Sequence, residues 1–214
     1  MMQGRVYFYA VSAVLMWSTT AALVKSLLTA IPTYEALFVS SLAGCLFLIV
    51  IQLVRGGGRV FRAYDVRGYA AMAGLGFLGI FLYSGLYYYG LSQLTSQEAC
   101  ILNFLWPMMI VLFAAFLLGE RITVRTAVAL LLSFSGVVAL TLAGEGHAEG
   151  NAVMGMIACI LAAVCYGLFC VLNKRRNLDQ TVMMVVAWGV TALCSLPVTL
   201  IMEEWVTLSW TQWG

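Results

Sequence analysis

Seven apolar runs, each about the length of a bilayer-crossing helix, divide this chain, and nothing else in it constrains the fold as much. A helix rises 1.5 Å per residue, so about 20 apolar residues cover the roughly 30 Å hydrocarbon core of a membrane. Such runs fall near residues 6–28, 34–54, 68–91, 97–118, 124–143, 152–173 and 182–202, with short polar or charged breaks between them. None alternates strictly between apolar and polar, as the strands of a lipid-facing barrel must. Lipid offers no hydrogen bonds to an open backbone, so runs this long are expected to be helices. The first run follows a charged start, as a secretory signal would, but it is long enough to span and is read as a retained helix. The expected fold class is an all-α membrane protein with seven transmembrane helices.

Composition agrees with the pattern. Of 214 residues, 63% are hydrophobic and only 9% charged, whereas a soluble domain of this size must cover itself with polar groups. The net charge of +2 and the lack of a basic cluster give no reason to expect nucleic acid. Cys45, Cys100, Cys159, Cys165, Cys170 and Cys194 all lie in apolar runs without a CxxC pair, and His147 is the single histidine. They read as small packing residues, and no metal or cofactor is expected.

Orientation follows from the cations. With the N-terminus inside, the inner segments carry Arg5, Arg55, Arg59, Arg62, Arg67, Arg121, Arg125, Lys174, Arg175 and Arg176, all but one of the 11 lysines and arginines. The exception, Lys25, lies near the outer end of the first span, and Glu35, Glu98, Glu145, Glu149, Glu203 and Glu204 fall outside. The positive-inside rule therefore places the N-terminus in the cytoplasm and the C-terminus of this chain outside.

An internal repeat is faintly visible. Residues 10–25 laid over 159–174 match Ala13 with Ala162, Leu23 with Leu172 and Lys25 with Lys174, and set Trp17 on Tyr166. Five spans separate the two starts, an odd number, so the copies would be inverted in the membrane, as in many secondary transporters. Residues 1–143 then form a first five-helix repeat, 144–151 an outer loop, and 152–214 the first two helices of a second repeat. Three spans would be missing, so the chain is expected to be a fragment of a longer protein or the product of a broken gene.

The most informative stretch is Asn103-Phe104-Leu105-Trp106-Pro107 in the fourth span. Pro107 cannot donate to the carbonyl of Asn103, so the helix should bend there and expose polar backbone. Lipid tolerates that only where protein or a wet cavity covers it. Asn103 and Trp106 are three apart and share a face, which suits a substrate contact. It equally suits a kink that shapes packing, with Asn103 bonded to a neighbouring helix. Other cavity candidates are Trp17, Ser18 and Thr20 in the first span, Tyr83 and Tyr87 in the third, and Tyr166 in the sixth. Aromatic walls favour stacking and cation–π contact, although Tyr and Trp also anchor helices at the interface, a role expected for at least one of Tyr87, Tyr88 and Tyr89. Lys25 and Glu98 lie near outer ends, where they could snorkel to water, line a vestibule or, for Glu98, relay protons. Glu120 with Arg121 should form a surface pair or a gate contact. Gly74, Gly76, Gly79 and Gly85, with Ser133, Ser135 and Gly136, should mark close helix contacts.

The fourth-span stretch, continued through Leu118-Gly119-Glu120-Arg121, resembles the signature of the drug/metabolite transporter superfamily, specifically its EamA-type members. The Asn-aromatic-Leu-Trp-Pro string is similar to that of bacterial exporters of aromatic and other amino acids. Trp17-Ser18-Thr19 and Asn173-Lys174 are similar to those exporters too, which makes Asn173 and Lys174 gate or interface candidates. The resemblance implies two inverted five-helix repeats, alternating access without ATP, and a place in the bacterial inner membrane. The chain departs from that pattern by lacking the last three helices.

The expected function is therefore secondary transport, with export of amino acids or similar small metabolites. The runner-up is a multidrug or lipid-head-group carrier on the same scaffold. The partners expected are the lipid bilayer and a small-molecule substrate, with a second copy of the chain as a further candidate. A retinal pigment would need a lysine within the last span, which has none. An intramembrane enzyme would need a base near mid-span, and His147 lies in the outer loop. No phosphate-binding glycine loop is present to support an ATPase.

Overall fold

The computed structural model describes residues 2–55, 57–143, 151–176 and 178–206, and these are helical with no strand among them. The chain makes seven hydrophobic passes. The first two are continuous, α1 (Met2–Leu28) and α2 (Thr33–Val54). The third, Val66–Gln93, comprises α3 (Val66–Gly76), a π-helical turn over Phe77–Leu82, and α4 (Tyr83–Gln93). The fourth, Ser96–Leu118, is split into α5 (Ser96–Asn103) and α6 (Trp106–Leu118). The last three are α7 (Val124–Ala143), α8 (Ala152–Arg176) and α9 (Gln180–Met202). A 3₁₀ helix over Gly57–Ala63 joins α2 to α3. Six passes are long and apolar enough to cross a membrane, and α7 adds a shorter apolar stretch, Val124–Gly136. The seven-helix expectation holds. Of the loop 144–151 only Asn151 is among the described residues, so the expectation for His147 falls outside them.

Local chemistry sets the helix ends. Asp65 accepts from the amide of Gly68 at 2.8 Å and starts α3, and Asp179 accepts from Thr181 and Val182 at the head of α9. Gly119 ends α6 at φ 70°, a left-handed conformation that costs glycine little. The head of α2 follows Pro32, which has no side chain to cap it. Its amides are met from the far end of the chain instead. The Glu203 carboxylate accepts from Tyr34 and Glu35, and Glu35 in turn accepts from the amide of Val206.

α8 is the hub. It packs along α4 and α6 and crosses the π-helical turn, while α9 packs on α2 and α3. Helices in lipid gain little from hydrophobic burial against one another, so close backbone approach matters more. A Cβ on Gly90 would strike Cys159, one on Gly79 would fall within the Phe169 side chain, and one on Gly167 would meet Met109. Gly76 lies against Ala187 in the same way. The expected contact role thus holds for Gly76 and Gly79, whereas Gly85 makes only ordinary contact with Tyr34. Gly74 and Gly136 face open space, and Ser133 and Ser135 are exposed on α7, a helix that touches the bundle chiefly through α5. Among the described residues, the small residues of α7 therefore mark no helix crossing.

The buried side chains form two clusters. One, around Tyr87, Leu91, Leu94, Leu102 and Cys159, lies toward the Lys25 end of the bundle. The other, around Met72, Leu75, Phe169, Met183 and Ala187, lies toward the end that carries Lys174. The space between them is where the two interrupted passes meet.

Candidate functional site

A cavity of about 360 Å³ lies midway along the passes, lined from α1, α4, α5, α6, α8 and α9. That volume falls within the roughly 300–1,000 Å³ typical of small-molecule sites. Both helix interruptions border it. Asn103 closes α5 and Trp106 opens α6, because Pro107 has no N–H and the helix turns through Phe104 and Leu105 with a tight bond from the Leu105 amide to the Leu102 carbonyl at 3.2 Å. The π-helical turn, which presents Ile80 to the cavity, inserts an extra residue per turn and rotates Tyr83 and Ser84 into the lining.

Aromatic rings form most of the wall. Tyr87 stacks on Tyr83 with centroids 6.0 Å apart, Tyr83 meets Tyr166 at 4.8 Å, and Tyr166 takes the edge of Trp106 at 5.4 Å and 84°. These spacings suit favourable ring pairs, worth about 0.5–1.5 kcal/mol each beyond area burial. The Asn103 amide donates to the Tyr83 hydroxyl at 3.1 Å, whereas its Oδ1 is buried without a partner. An orphaned buried acceptor is costly, of order 1–3 kcal/mol, and so is primed to receive a donor. Among the described lining residues none carries a charge.

Of the residues singled out in the sequence, Thr20, Tyr83, Tyr87, Asn103, Trp106 and Tyr166 are brought together here. Pro107 creates the break without lining the space. Ser18 points elsewhere: it is exposed, and its hydroxyl bonds the Leu15 carbonyl one turn back. The Trp17 side chain lies outside the described residues. The lining also includes Trp188 and Met184 of α9, Tyr88, Ser84, Cys100 and Phe104, which sequence reasoning missed. Trp188 sits at mid-span, the same argument that singled out Trp17, and that signal could have found it. Tyr87 and Tyr88 both line the cavity, whereas Tyr89 does not and is 42% exposed.

The ionisable candidates serve the scaffold. Lys25 donates to the carbonyls of Leu91 and Leu94 at 2.7 and 2.9 Å, capping the end of α4 where the helix dipole is negative. Glu98 belongs to a capping box with Thr95 at the head of α5, each side chain meeting the other's backbone amide. Its carboxylate is therefore engaged locally and does not face the cavity lining. Glu120 pairs with Lys174 at 2.8 Å, across α6 and α8, instead of with its neighbour Arg121, because the turn at Gly119 aims it at α8. Both partners are more than half exposed, so the pair is weak. Asn173 is buried and donates to Gln180 across the turn between α8 and α9.

Comparison with known proteins follows the same lines. The aromatic amino acid exporter YddG of Ancylobacter novellus is 32% identical over 167 residues, which is 77% of this chain and 56% of that protein. The uncharacterized transporters YetK and YvbV of Bacillus subtilis are 36% and 28% identical, over 46% and 77% of this chain and 30% and 52% of their own lengths. The chain thus spans about half or less of these curated relatives. A crystal structure superposes with a TM-score of 0.72 at 27% identity, covering 94% of this chain and 68% of the other. With its helical passes, its interrupted third and fourth spans, and a profile match over residues 4–142, the chain belongs to the EamA-like transporter family.

Proposed function

We propose that this chain carries the substrate pathway of a secondary exporter of net-neutral amino acids, aromatic ones foremost, or similar small metabolites. The observation that carries the reading is the mid-span cavity, walled by aromatic rings, with no charge among its described lining residues, and holding an unpartnered acceptor, Asn103 Oδ1. A zwitterion brings no net charge into low dielectric, and its ammonium group can donate to Asn103 while lying against aromatic faces. A cationic or anionic side chain would meet no counter-ion here. The exporter function in the name of the Ancylobacter relative supports the same substrate class.

Alternating access is the mechanism we infer, with the bundle rocking about the cavity. An inverted repeat would suit it: α1 and α2 would correspond to α8 and α9, and α2 packs directly on α9. Within that reading the chain sits in the bacterial inner membrane with its N-terminus inside, on the strength of the cation distribution.

Two measurements test the proposal. Reconstituted in liposomes, the protein should exchange labelled phenylalanine in counterflow, with competition from tyrosine and tryptophan but not from lysine or glutamate. Ligand binding in detergent, followed by tryptophan fluorescence, should weaken roughly 10- to 100-fold in Asn103→Leu, because a hydrogen bond to a charged donor is worth about 1.5–3 kcal/mol. If no amino acid binds or competes, or if charged ones do so equally well, the substrate assignment fails. A multidrug carrier would instead show competition by lipophilic cations.

A further inference from the structure

A second cleft, of about 270 Å³, opens between α6, α7 and α8 at the end of the bundle opposite Lys25. Its floor is apolar, with Ile110 and Ala114 of α6 and Val171 of α8, and its mouth carries Glu120, Arg121 and Lys174. Glu120 is already paired with Lys174, and among the described residues Arg121 has no ion pair. Arg125 follows at the second residue of α7, and Arg175 and Arg176 end α8. Five cations thus stand against one carboxylate at this end of three helices.

The shape of the cleft narrows what can fill it. It is smaller than a typical enclosed small-molecule pocket, so a ligand must leave part of itself outside. On the same helices, exposed apolar side chains continue past the cleft, Phe116 of α6 at 82% and Val124 of α7 at 81% exposure. An occupant therefore needs an anionic group for the mouth and an apolar continuation along the helices. Exposed Lys174 can exchange Glu120 for a phosphate at little cost, and the Arg121 guanidinium offers the forked donors that phosphate oxygens match. We propose that this cleft binds an anionic phospholipid, with its phosphate at Arg121 and Lys174 and its acyl chains along the exposed apolar side chains of α6 and α7. Basic pockets between spanning helices suit such head groups on general electrostatic grounds. The site is distinct from the aromatic cavity, and its failure would leave the transport reading untouched.

The test is thermal unfolding of the whole chain in a non-ionic detergent, titrated with phosphatidylglycerol, phosphatidylcholine or soluble glycerol phosphate. Phosphatidylglycerol should stabilise the protein saturably, phosphatidylcholine should not, and glycerol phosphate should need at least a tenfold higher concentration. The double variant Arg121→Gln with Lys174→Gln should raise the half-saturating phosphatidylglycerol concentration at least tenfold at unchanged helix content. Ala114→Phe, which fills the floor, should do the same with the charges intact. Equal loss in Arg175→Gln with Arg176→Gln would show diffuse surface attraction and overturn the assignment. Equal response to glycerol phosphate would make this a free-phosphate site and overturn it too. No saturable response to any lipid would mean that another helix or a second copy covers the cleft, which also refutes the proposal.

Discussion

Lys25 lies near the end of α1, partly buried, with its ammonium on two backbone carbonyls of the neighbouring pass. The Leu94 amide closes on Gly90, so the Leu91 carbonyl is left without a helical partner at the end of α4, and Leu91 itself is fully buried. Removing the ammonium strands that acceptor where water reaches poorly. An orphaned buried acceptor costs about 1–3 kcal/mol, and the loss of a cation at a partly buried helix C-terminus costs up to about 2 kcal/mol. These terms overlap, and Lys25 retains some exposure, so Lys25→Met, which keeps the length of the side chain, should destabilise the protein by about 2–4 kcal/mol. That corresponds to roughly a 30- to 700-fold change in the unfolding equilibrium. Lys25→Arg should recover at least half of the loss. The assay is reversible unfolding in mixed micelles with rising dodecyl sulfate fraction, followed by helix content. Had Lys25 merely reached for the membrane surface, Lys25→Met would fall within about 0.5 kcal/mol of the parent, and that result would refute the capping argument.

Three further outcomes follow from the same geometry. Glu98→Gln should preserve both stability and substrate exchange, since glutamine also completes a capping box, whereas Glu98→Ala should lose about 0.5–2 kcal/mol; abolished exchange in the glutamine variant would point to proton relay. Gly79→Ala places a methyl group within the Phe169 side chain and should cost about 1–3 kcal/mol, partly restored by Phe169→Leu in the same protein when both are compared in a double-mutant cycle. Glu203→Ala should expose the head of α2 and cost about 1–2 kcal/mol in micelle unfolding, because no residue at Pro32 can replace its carboxylate.

The spans were legible in the sequence because the rule that produces them is local: about 20 apolar residues in a row, in a solvent that forbids unpaired backbone, can only be a helix. The break at Asn103 to Trp106 was legible for the same reason, since a proline acts within one turn of itself. The π-helical turn at Phe77–Leu82 was not, since no residue in it signals a change of register and its Gly79 lies against Phe169 of α8, ninety residues further along the chain. Partners at such distances also decided the ionisable residues. Near the span ends Lys25 and Glu98 looked alike, yet one reaches across to another helix and the other bonds its own helix start. What the sequence determined by itself was the number of passes and the aromatic, asparagine-bearing character of the likeliest pocket residues. Only the packing of α8 and α9 against the third and fourth passes decided which of those side chains face one cavity, because facing is a relation between helices and periodicity within one helix does not contain it.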